Sequence, residues 1–290
     1  MTTGVSGDLT VRIMSGDSAG RGMAESTARR LDTRSWSELQ RDAGCPGSTV
    51  LWPFGAIEQH GPHLPLCTDA LFADRVADAV LERMADDLPI WRLPLQSIGF
   101  SVEHRGFPGT LSLPAESVIA LVQAVGTDLA AAGFARLVLF NAHGGQIGLL
   151  EVAARQLRSI HPELAVLPCF LWRGPEGIAE LIPEPERSEG LHAGLAETSL
   201  MLHLAPELVG QRRQADGMAG GTPPEGWSVE GAVPCSWLTG ELSSSGVIGD
   251  PAGADPDLGA RLFERLVAGW QQRFEALLRS DWPPVAHPQR

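Results

Sequence analysis

An α/β fold, with a mainly parallel central sheet between two helical layers, is predicted by three features of the sequence. From about residue 48 apolar runs alternate with amphipathic stretches, the run Leu137-Val138-Leu139-Phe140 is apolar at every position, and polar clusters follow directly after such runs. A strand covered by helices on both faces reads as an unbroken apolar run, whereas one with a wet face alternates. Strand-helix-strand order implies parallel pairing, which places functional groups at the carboxyl ends of the strands.

The elements follow in order. Residues 1–30, rich in Gly, Ser, Thr and Asp, read as a poorly ordered tail, and residues 31–290 as a single domain without internal repeats. Val50 to Phe54 is a buried strand. Residues 69–84 repeat apolar positions at three- and four-residue spacing (Leu71, Phe72, Val76, Ala79, Val80, Met84) and read as a helix with one face on a core. Residues 90–95 form a second strand, followed by a long loop through Gly109. A helix over 116–132 opens after Pro114 and stops near Gly133. Residues 137–140 are a strand, 146–159 a helix, 164–167 a strand and 195–204 a helix. Residues 206–256, dense in Gly and Pro, read as an extended loop region with short strands that buries Val233, Trp237 and Leu238. The stripe Leu258, Leu262, Phe263, Leu266, Val267, Trp270 and Phe274 marks a terminal helix over 257–278.

Composition narrows the chemistry. The 290 residues include 22 basic ones, every one of them Arg, and no Tyr. A Schiff-base or P-loop lysine, an ammonium base and a phenolic acid are thereby excluded. The net charge is −13, and the scattered Arg residues do not form the clustered cations that nucleic-acid binding requires. No nucleic-acid partner is expected, and no membrane, since no apolar run approaches the roughly 18 residues of a span. Arg29-Arg30 lacks the apolar stretch of a twin-arginine signal. The four cysteines, Cys45, Cys67, Cys169 and Cys235, show no CxxC spacing and read as free thiols of a cytoplasmic protein.

Three clusters can carry chemistry. Glu58-Gln59-His60 and Asp69 lie between the first strand and the following helix. His143 stands in Asn141-Ala142-His143-Gly144-Gly145-Gln146, after an apolar strand. His192 and Glu197 stand at a later helix start. Carboxylates and imidazoles at three such junctions suit Zn(II), Mn(II) or Fe(II). Each residue alone has a plainer reading: Asp69 as a helix cap, His143 as a core histidine, Glu197 as a favourable charge at a helix N-terminus. His203 reads as a packing or surface residue, and His161 and His287 as exposed.

The chain resembles the creatininase family, or creatinine amidohydrolases, which includes formamide hydrolases of flavin and deazaflavin biosynthesis and the peptidase of mycofactocin maturation. The matching blocks are PFGAIEQHGPHLPLCTD at 53–69, EHRGFPGT at 103–110, NAHGG at 141–145, HAGLAETS at 192–199 and GVIGDP at 246–251, in the family's order over about residues 33–278. The resemblance implies a three-layer αβα sandwich, a homohexamer and one or two divalent metal ions. It places Glu58, His60, Asp69, His143 and Glu197 on metal-ligand positions, with Asp69 as the bridge. It makes His192 the proton-transfer histidine, next to Glu197, and associates His104 and Trp172 with the substrate. Creatininase itself has a carboxylate two residues after the histidine matched by His143. Here that residue is Gly145, so Glu197 is expected to supply the remaining carboxylate. A substrate-covering Trp is replaced by Ser188, which disfavours creatinine.

The first functional reading is a metal-dependent amidohydrolase that opens a non-peptide C–N bond, a cyclic amide or formamide, in a small molecule. His104 and the Phe107-Pro108-Gly109-Thr110 loop would shape its pocket or, alternatively, form a rigid turn. The second reading is a mycofactocin-type peptidase acting on a peptide C-terminus, with a cation such as Arg105 for the terminal carboxylate. The third, from another class, is a catalytically silent metal-binding oligomeric scaffold.

Overall fold

A computed structural model describes residues 29–213 and 223–284. Its strands are β1 (Thr49–Phe54), β2 (Ile90–Arg92), β3 (Arg136–Asn141) and β4 (Ala165–Phe170), all parallel, in the order β2-β1-β3-β4. Both β1 and β3 are buried at every position, which accounts for their unbroken apolar runs. Phe54 pairs with Asn141, and Asn141 with Phe170, so three strands end level at one edge of the sheet. After β2 the chain stays beside β1: the Leu93 and Gln96 N–H groups each donate at 2.9 Å, to the carbonyls of Leu51 and Pro53. The strand expected over 90–95 is thus a short ladder continued by an extended segment.

The long helices are α1 (Trp36–Ala43), α2 (Thr68–Arg83), α3 (Ala115–Ala132), α4 (Ile147–Ile160), α5 (Leu195–Leu204) and α6 (Pro256–Leu278). Successive strand residues face opposite sides. Val50, Trp52, Phe54, Leu137 and Leu139 join the core under α1, α3 and α4, whereas Leu51, Val138 and Phe140 join the core under α2, α5 and α6. The result is the expected three-layer αβα sandwich. Gly133 closes α3 in the left-handed conformation, φ 100°, where glycine carries no Cβ penalty. Asp255 caps α6 by accepting from the N–H groups of Asp257 and Leu258, with Pro256 in the first turn.

Helix α3 has the length and apolarity of a membrane span, but Val118, Val122 and Leu129 pack it onto the sandwich. Three expectations need correction. Within 206–256, the described residues form isolated bridges, Ser228 with Pro234 and Ile248 with His192, and the one-turn helix Thr239–Leu242 instead of strands. Val233 and Leu238 are 46% and 54% exposed, while Trp237 is half-buried and donates to the Val229 carbonyl at 3.1 Å. His161 is half-buried, with its ring nitrogens 3.0 Å from Thr127 Oγ1 and 3.1 Å from Glu163 Oε1. His203 is exposed, its ring beside Phe263.

Arg29 and Arg30 already belong to the folded unit. Arg29 donates to the carbonyls of Leu88 and Ile90 at 3.0 and 2.9 Å, and the Arg92 N–H donates to the Arg29 carbonyl at 2.8 Å. The remainder of the expected tail and His287 lie outside the described residues. All four cysteines are free thiols.

Candidate metal centre

The level strand ends create the site. After β1 the chain passes through Gly55, where any Cβ would strike the backbone of Ala70, so α2 begins against the strand end and brings Asp69 toward Glu58 and His60. After β3, the Asn141 side chain accepts from the His143 N–H at 2.9 Å and donates to the His143 carbonyl at 2.7 Å. This clamp fixes the imidazole at the sheet edge. Gln146 donates to Asn141 Oδ1 at 2.9 Å and to the Gly55 carbonyl at 3.1 Å, joining the ends of β3 and β1. Residue 193 is an Ala at φ 54°, a strained conformation for a non-glycine. It turns its N–H onto Glu197 Oε2 at 2.6 Å.

All five predicted ligands converge. His60 Nε2 lies 3.6 Å from Asp69 Oδ1 and 4.0 Å from Glu197 Oε2. His143 Nδ1 lies 3.1 Å from Glu58 Oε1 and 3.3 Å from Asp69 Oδ2. Two triads, Glu58/Asp69/His143 and His60/Asp69/Glu197, each have ligating atoms within 4.8 Å of one another, and a third set, Glu58, His60 and His192, is equally close. Asp69 belongs to both triads. No side-chain cap bonds the start of α2, so the capping reading of Asp69 fails.

The donor set fits a divalent ion. Both Glu58 carboxylate oxygens, His60 Nε2 and Asp69 Oδ2 are buried without a hydrogen bond, an expensive state for polar atoms that face nothing. The His60 Nδ1–H points to the Glu58 carbonyl at 3.2 Å, and His143 Nε2–H to the Phe100 carbonyl at 3.0 Å. Each leaves the other ring nitrogen aimed at carboxylates, as oriented imidazole ligands require. Mixed oxygen and nitrogen donors without thiolate suit Zn, Mn or Fe.

The electrostatics agree. Burial opposes charge on His60, but Asp69, Glu197 and Glu58 outweigh it and raise the imidazole to about 9. Burial likewise opposes charge on Asp69, and His60 and His143 overcome it, holding the carboxyl well below its usual range. Glu197 is pushed up to about 7 by burial, with Asp69 adding and His60 opposing. The carboxylates thus demand positive charge between them.

His192 sits differently. Its Nε2–H donates to the Gln59 carbonyl at 2.7 Å, which leaves Nδ1 as the basic atom. Its ring lies against His60 (centroids 4.2 Å apart) and stacks on His104 (4.3 Å). Burial, then His60 and His104, keep it neutral, well below the ordinary histidine value. A cavity of about 660 Å³ opens over the centre, and its walls include His104, Trp172, His192 and Glu197. Phe107 to Thr110 do not line it: the Thr110 hydroxyl accepts from the Gln59 N–H at 3.1 Å, and the Leu111 N–H donates to the Ile57 carbonyl at 2.8 Å. That loop is the rigid brace, not a pocket wall. Arg105 is exposed and away from the cavity, whose cations are Arg173 and Arg187.

Three participants escaped sequence reasoning. Glu103 Oε1 lies 3.3 Å from His143 Nε2. His63 Nε2 lies 2.9 Å from Thr198 Oγ1 and ties the ligand segment to α5. Glu186 accepts from the N–H groups of Leu195 (2.6 Å) and Asp250 (2.8 Å), fixing the turn before Glu197. His63 and Glu103 stand inside the matching blocks at 53–69 and 103–110, and Glu186's partner Asp250 inside that at 246–251, but no role was read from them.

Fold and site together describe an αβα sandwich with a candidate metal centre at its strand ends. The family model described as creatinine amidohydrolase matches residues 32–274. A mycofactocin precursor peptide peptidase of Mycobacterium tuberculosis is 36% identical over 244 residues, 79% of this chain and 88% of that protein. A creatinine amidohydrolase of Pseudomonas putida is 30% identical over 204 residues, 66% of this chain and 77% of its own. A crystal structure of creatinine amidohydrolase (creatininase) matches with a TM-score of 0.70 at 26% identity, covering 87% of this chain and 98% of that one. The chain belongs to the creatininase family, and is a hydrolase of that metal-dependent family.

Proposed function

We propose that the protein hydrolyses a peptide bond in a short peptide, with Glu58, His60, Asp69, His143 and Glu197 holding two divalent ions, Zn, Mn or Fe. The observation that carries the choice of substrate is the 36% identity to a mycofactocin precursor peptide peptidase over 79% of this chain. The cavity of about 660 Å³, with Arg173 and Arg187 in its walls, has room for a short peptide. A small cyclic amide or formamide is the second reading, favoured by the 30% identity to a creatinine amidohydrolase.

Ions held there supply polarisation of an amide carbonyl and ionisation of water near neutral pH. The chain's own residues do the rest. Neutral His192 accepts a proton at Nδ1 and delivers it to the departing nitrogen. Glu197, fixed by the Ala193 N–H, lies beside it as both ligand and acid–base neighbour. Trp172, edge-on to Phe72, and His104 bound the substrate. A homohexamer in the cytoplasm belongs to the same proposal, and sedimentation tests the assembly. A silent scaffold is disfavoured because every ligand and the proton shuttle are present together.

The test is a hydrolysis screen of short peptides, cyclic amides and formamides with Mn- and Zn-loaded protein. Peptide cleavage lost in His192→Ala is expected. Turnover confined to cyclic amides or formamides contradicts the substrate choice, and metal-loaded protein that cleaves nothing in the screen favours the scaffold.

A further inference from the structure

The glycine at 145 and the carboxylate of Glu103 occupy one space. A Cβ built on Gly145 would coincide with Glu103 Oε1 and approach His143 Nε2 to 2.7 Å. Any side chain at 145 therefore expels the Glu103 carboxylate from its place 3.3 Å from His143 Nε2. Glu103 stands on the 3-10 turn Val102–His104, and the Thr239 hydroxyl donates to its carbonyl at 3.0 Å, so the turn is anchored by a residue distant in sequence. The His143 ring lies between two acidic groups of different kinds. Nδ1 faces Glu58 and Asp69, whereas Nε2 faces Glu103, the Phe100 carbonyl and, at 3.4 Å, the Ser101 hydroxyl.

We propose that Glu103 is a positioning residue for His143, and that residue 145 is glycine so that Glu103 can reach it. The carboxylate, beside the Phe100 carbonyl that accepts from Nε2–H, adds negative charge behind the ring, makes it more basic and helps hold the Nδ1 lone pair on the Glu58/Asp69/His143 triad. A ligating imidazole is oriented in this way by a carboxylate or carbonyl behind it. Glu103 lies on the opposite side of the ring from the triad, so it acts through His143 and not as a ligand of the same ion. This proposal rests on the metal reading of the triad.

The test measures Zn²⁺ affinity by chelator competition in the full chain, with thermal unfolding of each metal-free variant as a check of folding. Glu103→Gln and Gly145→Ala are each expected to weaken Zn²⁺ binding roughly 10- to 100-fold. Adding Glu103→Ala to Gly145→Ala should cost little further, because Gly145→Ala already expels the carboxylate, whereas Glu103→Ala alone should weaken binding as Glu103→Gln does. Wild-type affinity in Glu103→Gln, or additive losses in the double variant, overturns the role of Glu103 alone. Wild-type protein that binds no Zn²⁺ overturns the metal reading beneath it.

Discussion

Asp69 carries the most at the scale of single residues, because both triads contain it. Asp69→Ala is expected to lose both ions, whereas Glu58→Ala and Glu197→Ala each weaken the triad to which they belong. His192→Ala should keep its metal and lose turnover by about 10²-fold or more, as for a removed acid–base group; elemental analysis beside a rate assay separates these outcomes, and metal loss in His192→Ala contradicts its role. The pH dependence follows from His60. With its imidazole raised to about 9, metal-free protein must surrender that proton to bind an ion. Apparent affinity should therefore climb with pH up to about 9, with proton release in weakly buffered calorimetry, and a flat affinity from pH 6 to 9 contradicts this. In metal-free protein the same raised value stabilises the fold below pH 6.5, and that contribution fades as pH rises through about 9. The five candidate ligands were legible because they stand at strand ends or helix starts and fall in blocks that match the family. Glu103, His63 and Glu186 were not, since they act on residues distant in sequence.

At the scale of elements, close approach of backbones sets the geometry. A Cβ on Gly259 would strike the Ser199 carbonyl, so α6 lies directly against α5, which carries Glu197. Gly259→Ala is expected to cost about 1–3 kcal/mol by overpacking, measured by urea unfolding, and to weaken metal binding through displacement of α5; unchanged stability and affinity contradict the close fit. The four strands and the helices α2 to α5 were readable within a few residues because their apolar runs and stripes are long. Helix α1 was missed although Ser35 and Glu38 form a capping box that a Ser-x-x-Glu search finds; eight residues are too few for periodicity to stand out. Residues 223–245 misled for the opposite reason. Apolar side chains there suggested burial, yet Val233 and Leu238 stay exposed, and the segment contributes Val229, Glu230 and Pro234 to Trp237 to the cavity wall.

For the whole molecule, the sandwich exists to bring three level strand ends and two helix starts to one edge. Three buried carboxylates at that edge repel one another, and a divalent ion removes the cost. Chelation should therefore lower the melting temperature, and returning ion at 100 times its Kd should restore about 2.7 kcal/mol; a melting temperature indifferent to chelator contradicts the coupling. The layers and the sheet edge were legible in the order of apolar runs, while the cavity, made by segments up to 179 residues apart from Glu58 to Trp237, was not. The most direct test of the centre is anomalous diffraction from crystals grown with Mn²⁺ or Zn²⁺. Two peaks about 3.5–4 Å apart, one on each side of Asp69 with His60 and Glu197 at one and Glu58 and His143 at the other, are expected. A map with no peak between these five residues contradicts the account.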